Sequence, residues 1–232
     1  MIEALAGRPV AAVFAGRTDS GVHAAGQVVS LDDLRPELSN ERLLKALNAG
    51  LPVDVAVQAV WRTTSAFHAR YDATWREYRY RLWIGERQPL VGGIVAQRIR
   101  RVDPERLQSI SHLMGTHDFA SFAGSGDGVP GSARQAEPRG TIRTVLDASV
   151  KTISPWWGAE PAAGDLFEFT IRADGFLSKM VRNVVGAVIE VGDGRRSPDW
   201  LPELLAAADR RLGPKTAPPE GLTLWQIGYQ ES

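Results

Sequence analysis

Apolar residues recur along this chain at two periods, near 2 and near 3.6, and the switches between them predict its elements. The apolar run Ala11 to Phe14 and the alternating stretch Gln27 to Leu31 predict two short strands on either side of a turn that holds Asp19. Ser39 is placed to cap a helix running to about Ala49, with Leu43, Leu44 and Leu47 on one face. Gly50 to Pro52 ends it, and Val53 to Trp61 alternates as a further strand. The segment Thr74 to Ile84, TWREYRYRLWI, alternates aromatic and basic residues and predicts a longer strand.

The second half of the chain carries three predicted helices. Asp103 caps the first, with Pro104 at its first position; it runs to about Met114, and Gly115 stops it. Ile142 to Ser154 and Leu166 to Ala173 predict two strands joined by the connection Pro155 to Gly164. Phe176 to Val191 predicts a helix whose stripe is Phe176, Met180, Val181, Val184, Val185, Val188 and Ile189. Ser197 and Pro198 open a last helix to about Leu212, and the loop Gly213 to Gly221 leads into a closing strand, Leu222 to Tyr229. Gly124 to Gly140, rich in Gly, Ser and Pro, predicts a surface loop or lid. Strands and helices mix without strict βαβ alternation, which favours an α+β fold over a doubly wound one.

Composition narrows the chemistry. The 232 residues, 44% hydrophobic, suffice for one large domain or two small ones. Zero cysteines exclude disulfides, thiol catalysis and cysteine metal sites. The four histidines, His23, His68, His112 and His117, lack metal-ligand spacing. No apolar run is long enough to span a membrane and no leader pattern opens the chain, so a cytoplasmic protein without membrane contact is expected. Net charge is zero, with 27 cations and 27 anions. The cations are nearly all arginine, whose planar fork suits phosphates and stacks on bases; a GC-rich coding sequence would produce the same bias.

Four segments stand out. In AGRTDSGVHA, Gly16 and Gly21 flank Arg17 and Asp19. Asp19 reads either as a turn aspartate bonding its own backbone or as an oriented carboxylate able to act as nucleophile or base, with Arg17 on the same face of a strand. In FHARYDATWREYRYRLW, alternation puts Arg76, Tyr78 and Tyr80 on one face and Arg79, Arg81 and Trp83 on the other. That strand is either an edge with a solvated arginine face or a platform that stacks an unpaired base and holds its phosphate. In GFLSKMVRNVVG, Arg182 sits at the flank of the apolar stripe, either an ordinary surface arginine or one that reaches a carboxylate. In KTAPPEGLTLWQI, two prolines and Gly221 stiffen a loop that enters a strand at Leu222, either a plain connection or an apolar wall for a flat ligand. His117, Asp118 and Ser121 in HDFASF hint at a hydrolytic triad, but no strained GxSxG elbow supports it.

Together these segments resemble the TruA-type tRNA pseudouridine synthases. AGRTDSGVHA is similar to that family's signature around its catalytic aspartate, and FHARYDATWREYRYRLW to its tyrosine-bearing strand. HDFASF with the later GTIRTV is similar to its mid-chain signature, GFLSKMVRNVVG to its arginine helix, and APPEGLTL to its closing motif. All five stand in the family's order and span essentially the whole chain.

The resemblance implies roles residue by residue. Asp19 would be the nucleophile, and Arg182 its ion-pair partner. Tyr78 would stack on the uracil and assist proton removal, Leu222 would line the uracil pocket, and Arg17 would help displace the base. It implies two ferredoxin-like halves sharing a curved, mainly antiparallel sheet, with helices on one face and a central cleft. The N-terminal half would be residues 1–100 and the C-terminal half 101–232. It implies a cofactor-free homodimer that acts on tRNA, not DNA, at positions 38, 39 and 40 of the anticodon stem-loop. The Asp19–Arg182 pair is expected to lie in a water-poor cleft, where breaking such a pair costs roughly 3–5 kcal/mol. The family opens with a strand and helix before the aspartate motif; this chain starts at MIEALAGRPV and is expected to lack that strand and most of that helix. A catalytically silent, truncated tRNA-binding paralogue is the alternative reading.

Overall fold

The structure is a computed structural model, and it describes residues 1–86, 89, 94–98, 101–125, 139–157 and 164–230. Residues 126–138 of the predicted Gly124–Gly140 loop and 158–163 of the Pro155–Gly164 connection lie outside the described residues. The elements run α1 (Ile2–Ala6), β1 (Ala12–Phe14), β2 (His23–Ala24), β3 (Val29–Leu31), α2 (Asn40–Ala49), β4 (Ala73–Ile84) and β5 (Ala96–Arg98). They continue α3 (Pro104–Leu107), β6 (Gly115–Asp118), β7 (Ile142–Ile153), β8 (Asp165–Ala173), α4 (Met180–Gly192), α5 (Trp200–Ala207) and β9 (Leu222–Tyr229). The fold is α+β with a mainly antiparallel sheet, as the mixed order of elements predicts.

Among the described residues, 1–17, 27–73 and 229–230 form one compact unit. Its small sheet pairs β1 with β3 antiparallel, Ala12 opposite Leu31 and Phe14 opposite Val29. The predicted helix is α2: the Ser39 side chain accepts from the Arg42 N–H and satisfies an otherwise orphan donor. Leu43 and Leu47 are buried with Leu34, and Ile2, Leu5, Val57 and Val60 pack against them. Val53 to Trp61 is not a strand. Asn48 takes both backbone groups of Val57, donating to its carbonyl at 2.9 Å and accepting from its N–H at 2.8 Å. Val57 and Val60 are partly buried against the Leu43 cluster without the two-residue period of a strand, and one asparagine side chain stands in for a neighbouring strand. Tyr229 ties the chain's end to this unit, its hydroxyl donating to the Ala69 carbonyl at 2.8 Å.

Residues 18–26 and 74–228 form the second, larger unit. Its strands lie in the order β2-β9-β4-β8-β7-β6, with β5 beside β4. β4 pairs antiparallel with β8, from Arg76 opposite Ala173 to Ile84 opposite Asp165. β8 pairs with β7 and β7 with β6 in the same sense, whereas β2 and β9 run parallel. β4 is therefore an interior strand, which removes the edge-strand reading of its arginines. On one face, Arg79 and Arg81 lie over the Trp225 ring, at 4.0 and 5.3 Å from its centre. They pair there with the buried carboxylates Glu77 and Glu168. On the other face Tyr78 and Tyr80 are buried.

The helices are shorter than the apolar stripes predict, for local reasons. α4 starts at Met180, because Lys179 takes a left-handed conformation, φ 58°. Phe176 thus leaves the helix and meets the Tyr78 ring edge-on, 5.0 Å between centres. The Asp103 cap and Pro104 open α3 as expected, but its continuation to Leu113 is a 3₁₀ helix in which Ser111 donates back to the Gln108 carbonyl. The predicted Ser197–Leu212 helix breaks after α5. Ala208 is left-handed, φ 47°, and the Asp209 N–H turns away to the Ser121 hydroxyl at 2.9 Å. Gly186 in α4 permits close approach of a loop, since a Cβ there would lie 2.1 Å from the Lys215 carbonyl oxygen.

Candidate active site

Asp19 sits in a tight turn just before β2. The Val22 N–H donates to the Asp19 carbonyl at 3.0 Å, and Gly21 is left-handed, φ 79°. The turn is anchored from β9: β2 pairs with it, His23 opposite Thr223, and the N–H groups of Ala25 and Gly26 reach the Leu224 carbonyl. The backbone geometry thus agrees with the turn reading. The side chain is directed elsewhere: Asp19 Oδ2 accepts from Arg182 Nη1 at 2.8 Å.

Arg182 reaches this carboxylate because of its place at the flank of the α4 stripe. Its Nε donates to the Ala217 carbonyl at 2.8 Å, and the Ala217 N–H returns a bond to the Arg182 carbonyl at 3.1 Å. A planar guanidinium fixed through Nε aims its Nη atoms without further ordering. Side-chain exposure is 14% for Arg182 and 38% for Asp19. The pair is therefore only partly enclosed, more open to solvent than the water-poor cleft expected for it.

Tyr78 is 8% exposed. Burial first, with the negative charge of Asp19 adding to it against the opposing charge of Arg76, pushes its hydroxyl up to about 12 from the ordinary 10.0. Tyr78 is thus a neutral phenol at physiological pH, suited to stacking and hydrogen-bond donation and poorly suited to taking a proton. Tyr80 is pushed up further, chiefly by burial, with Glu220 adding and Arg182 opposing. A raised folded-state value means the protonated phenol stabilises the fold fully below pH 10, and this stability is lost as pH rises. Unfolding free energy is expected to fall between pH 10 and about 12, by at most about 1.4 kcal/mol per pH unit for each tyrosine. Urea titrations should show it, and Tyr78→Phe should make the decline shallower.

Leu222 is 5% exposed, and its N–H donates to the Pro219 carbonyl at 2.9 Å. Pro219 in turn lies against the Asp19 turn, its Cγ 3.1 Å from where a Gly21 Cβ would stand. Arg17 belongs to the first unit and is exposed. It lies in irregular backbone just past the Ala15–Gly16 bend that follows β1, so strand alternation does not set its direction. Gln27 shapes that bend, donating to the Gly16 carbonyl at 2.7 Å and accepting from the Gly16 N–H at 3.3 Å.

Ser121 is fully buried, donating to the Leu204 carbonyl at 2.6 Å. His117 is bonded to the Met114 carbonyl at 2.8 Å. Both hold backbone, and neither forms a hydrolytic triad. Among the described residues, no three His, Asp or Glu side chains group closely enough to hold a metal ion. No described helix is long and apolar enough to cross a membrane.

Sequence reasoning gave no part to Pro218, Asn183 or Thr216 around the pair, and placed Tyr80 only on the face of Tyr78. The Tyr80 hydroxyl donates to the Pro218 carbonyl at 3.0 Å. Asn183, next to Arg182 and fully buried, accepts from the Thr216 hydroxyl at 2.7 Å. The one available signal was an amide in the middle of an apolar helix, which demands buried partners.

A carboxylate held by a guanidinium, near a neutral tyrosine and open to solvent on one side, is equipped for nucleophilic or proton-transfer chemistry. Comparison with known proteins identifies the family. A sequence model of the tRNA pseudouridine synthase family matches residues 110–230. The tRNA pseudouridine synthase A of Nitratidesulfovibrio vulgaris is 40% identical over 243 residues, covering 98% of this chain and 86% of the relative. Its namesake in Geobacillus kaustophilus is 40% identical over 227 residues, covering 97% of this chain and 80% of the relative. That of Bordetella parapertussis is 40% identical over 228 residues, covering 96% and 76%. The chain belongs to the tRNA pseudouridine synthases, isomerases that convert uridine to pseudouridine.

Proposed function

We propose that this protein isomerises uridine to pseudouridine at positions 38, 39 and 40 of the tRNA anticodon stem-loop, with Asp19 as the nucleophile. The observation that carries this reading is the 2.8 Å contact between Asp19 and Arg182, 163 positions apart in the chain. Both belong to motifs that the resemblance assigns to catalysis, and the tyrosine of a third motif responds to the Asp19 charge.

The reaction conserves atoms. The N1–C1′ bond breaks, the uracil turns, C5 bonds to C1′, and the C5 proton is lost while N1 gains one. The target uridine leaves its stack, at a cost of a few kcal/mol. Arg17 is assigned to the vacated space. Tyr78 stacks on the extruded uracil and Leu222 walls the pocket. Arg182 aims the Asp19 carboxylate at the base or sugar and balances its charge. The family resemblance further supports a homodimer acting in the cytoplasm without a cofactor.

The test is position mapping. Unmodified tRNA transcripts with uridines at 38 to 40 are incubated with the protein, treated with a carbodiimide that marks pseudouridine, and read by reverse-transcription stops. Stops at these positions are expected. Stops confined to another region of the tRNA would overturn the assigned target, and tight binding without any stop would favour the silent tRNA-binding reading.

A further inference from the structure

The segment from Pro214 to Gly221 touches Arg182 and the turn that carries Asp19. Its Ala217 carbonyl receives Arg182 Nε at 2.8 Å, and its Pro219 ring abuts Gly21, two residues beyond Asp19. Its own position therefore sets how the guanidinium meets the carboxylate. Proline rigidity alone does not fix where the segment sits, since it is an irregular connection between a 3₁₀ turn and β9.

Two buried hydrogen-bonding groups hold it from opposite sides. From the sheet, the Tyr80 hydroxyl donates to the Pro218 carbonyl at 3.0 Å, and Gly221 lies close on the Tyr80 ring, 2.7 Å from Cζ to where a Cβ would stand. From α4, Asn183 accepts from the Thr216 hydroxyl at 2.7 Å and from Arg210 Nη2 at 3.2 Å, while Arg210 Nη2 also donates to the Pro214 carbonyl at 2.9 Å. The Asn183 amide is itself fixed, donating to the Phe122 and Ala123 carbonyls at 2.8 and 2.9 Å. Both amide ends are thus used, and the side chain has one orientation that satisfies them.

We propose that Tyr80 and Asn183, acting through Pro218 and Thr216, are positioning residues that clamp the Pro214–Gly221 segment and thereby aim Arg182 at Asp19. The inference rests on the catalytic reading of that pair. Neither residue needs to touch the substrate. Each acts by holding a carbonyl or a hydroxyl in place, and displacing the reacting geometry by about 1 Å is enough to cost up to about 100-fold in rate.

The test uses two single-hydroxyl deletions of nearly unchanged shape, Tyr80→Phe and Thr216→Val, with Thr216→Ser as the conservative control. One readout is independent of activity. In ¹H–¹⁵N spectra of arginine side chains, the Arg182 Nε–H, assigned by its absence in Arg182→Met, should be sharp and slow to exchange in wild type. It should broaden and exchange at least about tenfold faster in Tyr80→Phe and Thr216→Val, and return in Thr216→Ser. A wild-type Arg182 signal in both deletion variants overturns the proposal, whatever the protein does to tRNA. The second readout is the split of kinetic constants for pseudouridine formation. Both deletions should lower kcat about 10- to 100-fold with KM for tRNA within about twofold, and Thr216→Ser should recover kcat. A change in KM alone, or a Thr216→Ser enzyme as slow as Thr216→Val, overturns it. Failure of the catalytic reading shows differently: wild type with an intact Arg182 signal and no pseudouridine formed.

Discussion

Asp19→Asn is expected to lower pseudouridine formation by at least about 10⁴-fold while leaving the fold intact. Asparagine keeps the size of the side chain and an oxygen for Arg182 Nη1, so the 2.8 Å contact survives in weakened form. The Asp19 turn does not depend on the carboxylate, since the carbonyl of Asp19, Gly21 and the β2–β9 pairing hold it. What the substitution removes is nucleophilic and proton-accepting capacity. Release of tritium from tRNA labelled at uracil C5 measures the reaction directly. Circular dichroism and thermal melting should match wild type, and tRNA affinity should change little. Residual activity within about tenfold of wild type would remove Asp19 from the nucleophile's role.

The second large effect is expected from Arg182→Met. The Nε bond to Ala217 and the Nη1 bond to Asp19 are both lost, while the methylene packing along α4 is kept. Activity should fall roughly 10²- to 10³-fold, because the carboxylate is no longer aimed. The cost in stability should be smaller than for a fully buried pair, about 1–2 kcal/mol, since 38% of the Asp19 side chain meets solvent. Arg182→Lys should restore little activity: an ammonium on a flexible stem does not bond Ala217 and Asp19 together as the fork does. Urea melts and tritium release measured on both variants separate the two effects. A stability loss that fully accounts for the lost activity, or full rescue by lysine, would contradict the aiming role.

Much of this architecture was legible in the sequence because it is written locally. Strict alternation defines β4, and a Ser39 cap with three leucines defines α2. Proline and glycine before Leu222 define the entry to β9. Two of the errors share a cause: a single side chain from elsewhere redirected the backbone. Asn48 captured Val57 and dissolved a predicted strand, and Ser121 captured Asp209 and broke a predicted helix. Period counting does not register such contacts. At the site, Asp19, Arg182, Tyr78 and Leu222 stood out through their motifs. Their partners did not, because Tyr80 and Pro218 lie 138 positions apart and Asn183 and Thr216 lie 33 apart. Arg17 was read as a strand neighbour of Asp19, but β1 ends at Phe14, before either residue.

The pairing of β2 with β9 also orders events in time. During synthesis Asp19 leaves the ribosome before both of its partners: Arg182, which binds it, emerges 163 residues later, and the strand that anchors its turn, from Leu222, about two hundred residues later. At about 5–20 residues per second, the Asp19 turn waits some ten to forty seconds for these partners. A nascent chain therefore carries the Asp19 carboxylate without its guanidinium partner for that interval. The Asp19 turn gains its β9 anchor only once residues 222–224 have been made.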